Sequence, residues 1–137
     1  MRGVRFITAG MLIFLLAVSP CASAANATDM QVKAVAEPIL DNILDSFKFD
    51  DYFKYKKDLD SALRVPGSST KFYKINRYVK NVLGPYQDRQ YMGVVCKGEI
   101  VIVLWKGMFE KSGDDILIKL MLARKNGKFV VTGLWLQ

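Results

Sequence analysis

The stretch "ILIKLMLARKNGKFVVTGLWL" (Ile116–Leu136) decides the fold. Its apolar residues alternate with a period of two on both sides of Asn126-Gly127, a dipeptide that suits the two positive-φ positions of a tight hairpin turn. The pattern predicts two antiparallel strands, Ile116 to Ala123 and Phe129 to Leu136. A two-residue loop pairs Lys125 with Lys128, which sets Leu122 opposite Val131, Leu120 opposite Gly133 and Ile118 opposite Trp135. That face is strongly apolar and should take up helices, with Trp135 in the core. The other face carries Leu117, Lys119, Met121, Ala123, Val130, Thr132, Leu134 and Leu136, of which only two of eight are polar. A sheet with one wet face alternates polar residues there. The excess apolar area calls for cover by a bent sheet, a partner subunit or a ligand. Leu117, Met121, Leu134 and Leu136 are the residues expected at a homodimer interface.

Further back, period two continues through Ile100 to Phe109 and through Arg89 to Cys96, joined by a Lys97-Gly98 turn. Gly133 suggests a bulge or a close helix approach. Before Tyr86 the spacing changes to three and four residues. Val32, Val35, Ile39, Ile43 and Phe47 share one helical face beside Ala36, Leu40 and Leu44, with Thr28 or Asp29 as the cap. Pro38 should kink this helix or place a boundary near Glu37. "FDDYFKYKKDLDSALR" (Phe49–Arg64) predicts a second short helix capped by Asp50, with Tyr52, Tyr55, Leu59 and Leu63 as its stripe. "VPGSST" (Val65–Thr70) is a loop whose Ser69 or Thr70 caps a third helix. There Phe72, Ile75, Val79, Val82 and Leu83 should face inward, and Gly84-Pro85 ends the run. Helices at about 29–83 followed by strands at about 89–136 indicate an α+β class. N-terminal helices pack on one face of a bent four-stranded antiparallel meander.

Residues 1–24 have the plan of a secretory signal peptide. Arg2 and Arg5 form a positive start, Phe6–Val18 an apolar run of 13 residues, and Ala22-Ser23-Ala24 a cleavage site. The run is short for a spanning helix, which needs ~20 apolar residues. Cleavage after Ala24 would leave 113 residues, Ala25 to Gln137, as a single domain with a periplasmic or secreted destination and no transmembrane span. It would also remove Cys21, so Cys96 alone remains and has no internal bridging partner. Cys96 reads as small apolar filler at a strand end. An intermolecular disulfide and a reactive thiol are the alternatives.

There is no histidine among the 137 residues. That removes Ser-His and Cys-His nucleophilic pairs and histidine-bearing zinc sites. Two cysteines are too few for a four-cysteine zinc site, and no glycine-rich phosphate loop occurs. The sequence implies no cofactor, no metal and no catalytic set, and an exported chain without base-reading motifs does not point to nucleic acid. Tyr52, Tyr55 and Phe72 are the expected walls of any pocket for a small apolar ligand. A pocket enzyme of lyase or isomerase type using Asp51 or Asp58 with Tyr55 is the alternative. From Ser61 to Gln87 there is no acid, and Lys71, Lys74, Arg77 and Lys80 step by three along the third helix. Such a stripe fits anionic lipid, cell-wall polymer or an acidic envelope protein.

"GEIVIVLWKGMFEKSGDDILIKLMLARKNGKFVVTGLWLQ" (Gly98–Gln137) resembles the end of small exported bacterial proteins of unassigned function. The likeness lies in a hydrophobic strand, a turn carrying Phe109 and Lys111, a second strand, and a last strand with Asn126-Gly127-Lys128-Phe129, Val131 and Gly133-Leu134. "FDDYFKY" and "LGPYQDRQYMG" extend it loosely into the helical half. Such proteins are similar to nuclear transport factor 2-like or cystatin-like domains. The resemblance implies a cone-like sheet wrapped around helices, a small pocket between them, and dimers formed through the sheet. It brings no activity and no catalytic residues.

Overall fold

The structure, a computed structural model, describes residues 25–137, with side chains from Asp29 onward. The expected signal peptide, 1–24, lies outside the described residues, as does Thr28's side chain. The elements are α1 (Ala25–Phe49), α2 (Tyr52–Lys56), a 3₁₀ turn (Ser61–Leu63), and α3 (Ser68–Tyr78), which runs on as a π-helical turn (Val79–Leu83). Four strands follow: β1 (Tyr86–Lys97), β2 (Ile100–Phe109), β3 (Ile116–Lys125) and β4 (Lys128–Leu136). They pair antiparallel in the order β1-β2-β3-β4, so the class is α+β with an open meander sheet, as the periodicity predicts.

Helix α1 buries the stripe that its spacing foretells: Val32, Ala36, Ile39, Leu40, Ile43, Leu44 and Phe47. Val35 stays largely outside it. Pro38 neither ends nor divides the helix. It and Ala34, whose carbonyl loses its usual i+4 donor, both lie on the exposed side, where solvent can satisfy that oxygen. Against α1 the sheet presents Val103, Trp105, Ile118, Leu120, Leu122 and Val131, each at most 1% exposed.

The second helix is shorter than its stripe suggests. Its cap is Asp51, whose carboxylate accepts from the Lys54 backbone N–H at 3.0 Å, rather than Asp50. Asp50 instead turns the chain with a left-handed φ of 55°. Beyond Lys57 the backbone leaves helix to pair with the edge of β4. Asp60 N–H donates to Val131 O at 2.8 Å, and Val131 N–H donates to Asp58 O at 2.7 Å. Leu59, between them, enters the core. Side-chain spacing could not distinguish these states, because the competing donors and acceptors belong to a strand 70 residues away in sequence (about; the loop cost grows slowly with length).

Helix α3 starts at Ser68 after Gly67, whose φ of 86° is left-handed, so neither Ser69 nor Thr70 is the cap. Its inner face is Phe72, Asn76, Val79 and Leu83. Ile75 and Val82, expected inside, are 41% and 51% exposed. Asn76 takes the inner position because its amide donates to Asp50 at 2.6 Å.

The hairpin register holds from the turn as far as Leu122–Val131 and then shifts. Thr132 is an extra residue on β4, so Met121 faces Gly133, Leu120 faces Leu134 and Ile118 faces Leu136. A one-residue slip reverses every side chain beyond it. Leu134 and Leu136 therefore turn inward and pack on the core, not on the outer face as expected. Trp135 turns outward, 41% exposed, with Lys119 Nζ 4.5 Å from its ring centre. Its indole lies over Gly133, where a Cβ would collide with it. A second shift between Tyr91 and Gly93 puts Met92 out of register, so it is exposed and does not share a face with Val94.

Candidate functional site

A cleft of about 520 Å³ opens where the C-terminal half of α1, the π-helical turn and the ends of β1 and β2 meet. Leu44, Phe47, Val79, Pro85, Tyr86 and Phe109 form its apolar walls, and Asp41, Asp45, Lys48 and Lys80 its charged rim. The turn is held against the sheet by backbone bonds from Glu110 N–H to Pro85 O and from Lys111 N–H to Leu83 O, both 2.9 Å. Gly84, with φ of 77°, lets that approach happen, because a Cβ there would meet Lys111 at 2.7 Å. Tyr86 stands edge-on to Phe109, ring centres 5.6 Å apart.

Three rim charges are engaged. Asp41 accepts from Arg89 at 2.7 Å, Asp45 pairs with Lys54 at 2.8 Å, and Lys80 pairs with Asp50 at 2.6 Å. Lys48 has no ion pair among the described residues, and its ammonium lies 5.2 Å from the ring centre of its neighbour Phe49.

Beside the cleft, Glu37 and Arg89 make a polar crossing between α1 and β1. Arg89 Nε donates to Glu37 Oε2 at 3.0 Å, a second guanidinium nitrogen donates to the same oxygen, and Trp105 Nε1 donates to Glu37 Oε1 at 2.9 Å. Arg89 also donates to the Tyr86 hydroxyl at 3.2 Å. Burial pushes the Glu37 carboxyl up, but the Trp105 and Arg89 hydrogen bonds together outweigh it and hold the pKa below the usual carboxylate value. Burial opposes the Arg89 charge, and its Glu37 and Asp41 partners more than offset that, so its pKa is raised. Neither Glu37 nor Arg89 stood out as a site residue in the sequence. The signal was an acid on a helix flank and a base on a strand, and their meeting depends on topology.

The expected pocket residues lie elsewhere. Phe72 is fully buried, with Tyr55 4.8 Å, Tyr52 5.7 Å and Phe47 5.9 Å away between ring centres. This aromatic cluster joins α1, α2 and α3, and Tyr52, Tyr55 and Phe72 do not line the cleft. The Tyr52 hydroxyl bonds to Ser68 Oγ. Burial, with Tyr52 adding to it, raises the Tyr55 pKa. Asp51 is the α2 cap and Asp58 accepts from Asn42 Nδ2 at 3.1 Å, and neither lines the cleft.

Of the basic stripe, Lys71, Lys74 and Arg77 are exposed. Lys80 is half-buried, tied to Asp50 and turned to the cleft rim. Tyr73 and Tyr78, 48% and 50% exposed, stand among the basic residues. Cys96, expected as filler, is exposed near the end of β1, opposite Val101. Among the described residues, no group of three metal-ligating side chains comes together, and no helix is long and apolar enough to cross a membrane.

Among the described residues, no helix covers the outer face of the sheet. Pairing places Val95, Ile102, Met121 and Gly133 in one row across it, and Leu104, Lys119 and Trp135 in the next. Leu117 and Met121 remain on this face, joined by Ile102, Leu104 and Trp135 in place of Leu134 and Leu136. No protein-family model, no curated protein and no solved structure matches the chain.

Proposed function

We propose that the protein is an exported, non-catalytic partner-binding module of the cell envelope that acts as a homodimer through the outer face of its sheet. One observation carries this. Val95, Ile102, Leu104, Leu117, Met121 and Trp135 form a contiguous apolar surface on a face that no element among the described residues covers. Strands about 4.8 Å apart rising ~3.3 Å per residue give a four-stranded sheet of this length a flat face on the order of 600 Å². Side-chain relief enlarges that toward the ~800 Å² per partner of a stable interface. The only charges in the middle of the face are Lys106 and Lys119. Lys106 is paired with Asp115 at 3.2 Å, and Lys119 lies on the Trp135 ring. The plan agrees with the nuclear transport factor 2-like or cystatin-like resemblance of the tail, and the signal-like sequence of residues 1–24 is what supports the location.

The test is sedimentation equilibrium of the chain starting at Ala25. A dimer is expected in the micromolar range, and Met121→Glu should return it to monomer with its circular dichroism unchanged. A wild-type chain that stays monomeric at high micromolar concentration would end this proposal.

A second function has its own observation in the exposed run of Lys71, Tyr73, Lys74, Arg77 and Tyr78 on α3. Basic residues interleaved with aromatic ones suit the interface of an anionic bilayer or wall polymer. Binding to vesicles containing phosphatidylglycerol should then weaken with salt and disappear in the triple change Lys71→Gln, Lys74→Gln, Arg77→Gln. Salt-independent binding would reject it.

A further inference from the structure

We infer that the cleft between α1, the π-helical turn and the β1–β2 end is a binding site for a single-chain amphipathic carboxylate, with the apolar chain inside and the head group at Lys48. The inference stands apart from the dimer, since no outer-face residue lines the cleft.

Shape comes first. The cleft volume of about 520 Å³ lies within the range of ~300–1,000 Å³ typical of small-molecule sites. Its walls come from four separate elements fixed to one another by the Pro85 and Leu83 backbone bonds and by the Arg89 crossing, so its form is set before any ligand arrives. Leu44, Phe47, Val79, Pro85, Tyr86 and Phe109 offer no anchoring polar group besides the Tyr86 hydroxyl, which already accepts from Arg89. The interior thus suits a hydrocarbon body with its polar group left at the rim.

Charge then selects the head group. Asp45 is paired with Lys54 and Lys80 with Asp50, while Asp41 accepts from Arg89, whose single charge it shares with Glu37. Lys48 is the rim charge with no ion pair among the described residues, and it is positive. A cationic head would find both rim acids occupied. An alcohol would forgo the Lys48 contact, and a carboxylate would gain it.

Isothermal titration with dodecanoate, dodecanol and dodecylammonium, below their aggregation concentrations, tests this on the chain from Ala25. Dodecanoate is expected to bind about tenfold more tightly than the alcohol and more tightly still than the amine, the order of gain of one charge-assisted contact. Lys48→Glu, at an exposed position that leaves the fold intact, should abolish that preference. Met121→Glu should leave it unchanged, which separates the cleft from the outer sheet face. The inference is overturned by equal affinities for the three head groups, by a preference that survives Lys48→Glu, by loss of binding in Met121→Glu, or by no binding at millimolar dodecanoate.

Discussion

Glu37 is the residue whose chemistry reaches furthest through the molecule, because one carboxylate serves a strand arginine and a core indole. Its pKa is lowered in the folded chain, so the unfolded chain binds more protons as the solution is acidified. The stabilisation is present above the unfolded carboxylate value and is lost as pH falls through the lowered folded one. Glu37→Gln keeps the shape and removes the charge. Its thermal midpoint should lie below wild type at pH 7, and the gap should close as the pH falls below the ordinary carboxylate value and wild-type Glu37 protonates. A gap constant from pH 7 to pH 3 would mean that the charge is not what matters. Asp60 acts in the same direction, its carboxyl held low first by Lys125 at 2.5 Å and then by the Ala62 N–H. Asp50 makes a different kind of contribution. Its carboxylate is the acceptor of the buried Asn76 amide, so Asp50→Ala should cost about 1–3 kcal/mol by chemical denaturation. Asp50→Asn, which keeps an acceptor, should cost less.

At the scale of elements, the extra residue in β4 determines which side chains of the last strand meet the core. Deleting Thr132 would remove the bulge yet keep Met121 opposite Gly133, Leu120 opposite Leu134 and Ile118 opposite Leu136, so Leu134 and Leu136 stay inward and Trp135 outward. Cooperative unfolding should survive the deletion, and Thr132→Ala should shift the midpoint only slightly, since its hydroxyl makes a single long bond of 3.3 Å to Met121 O. Gly133→Ala should push the Trp135 ring off the sheet and change tryptophan emission while Trp105 stays buried. The element order, the α1 stripe, the β2 limits and the Asn126-Gly127 turn, with φ of 50° and 75°, were legible in the sequence because each depends on neighbours a few residues apart. Gly133 pointed to a bulge or a close helix approach, but not to which of the two or to which residue is extra. The register shift, the early end of α2 and the exposure of Ile75 and Val82 were not legible. Each is decided by a distant segment: by the core that takes up Leu134 and Leu136, by Val131, and by Asp50. The cleft was missed for the same reason. Its six apolar walls, spread from Leu44 to Phe109, have no shared sequence signature. Tyr52, Tyr55 and Phe72 looked like a pocket because aromatic residues at helical spacing serve equally well to join helices.

Over the whole molecule, the helices cover one side of the sheet and leave the other apolar. Association at that face should therefore be linked to stability, with a thermal midpoint that rises with protein concentration for wild type and stays fixed for Met121→Glu. A wild-type midpoint independent of concentration would count against the dimer.

The open sheet also has two lateral edges, and they are unlike. Along β4, the outward backbone groups of Val131 are already bonded to Asp58 and Asp60, so an incoming strand finds its template broken in the middle. Along β1, the irregularity at Met92 and the φ of 149° at Gly93 interrupt the other edge. Edge-to-edge growth into filaments needs an unbroken ladder on both sides. This chain offers one on neither, so an apolar sheet face can remain exposed without the sheet extending from molecule to molecule.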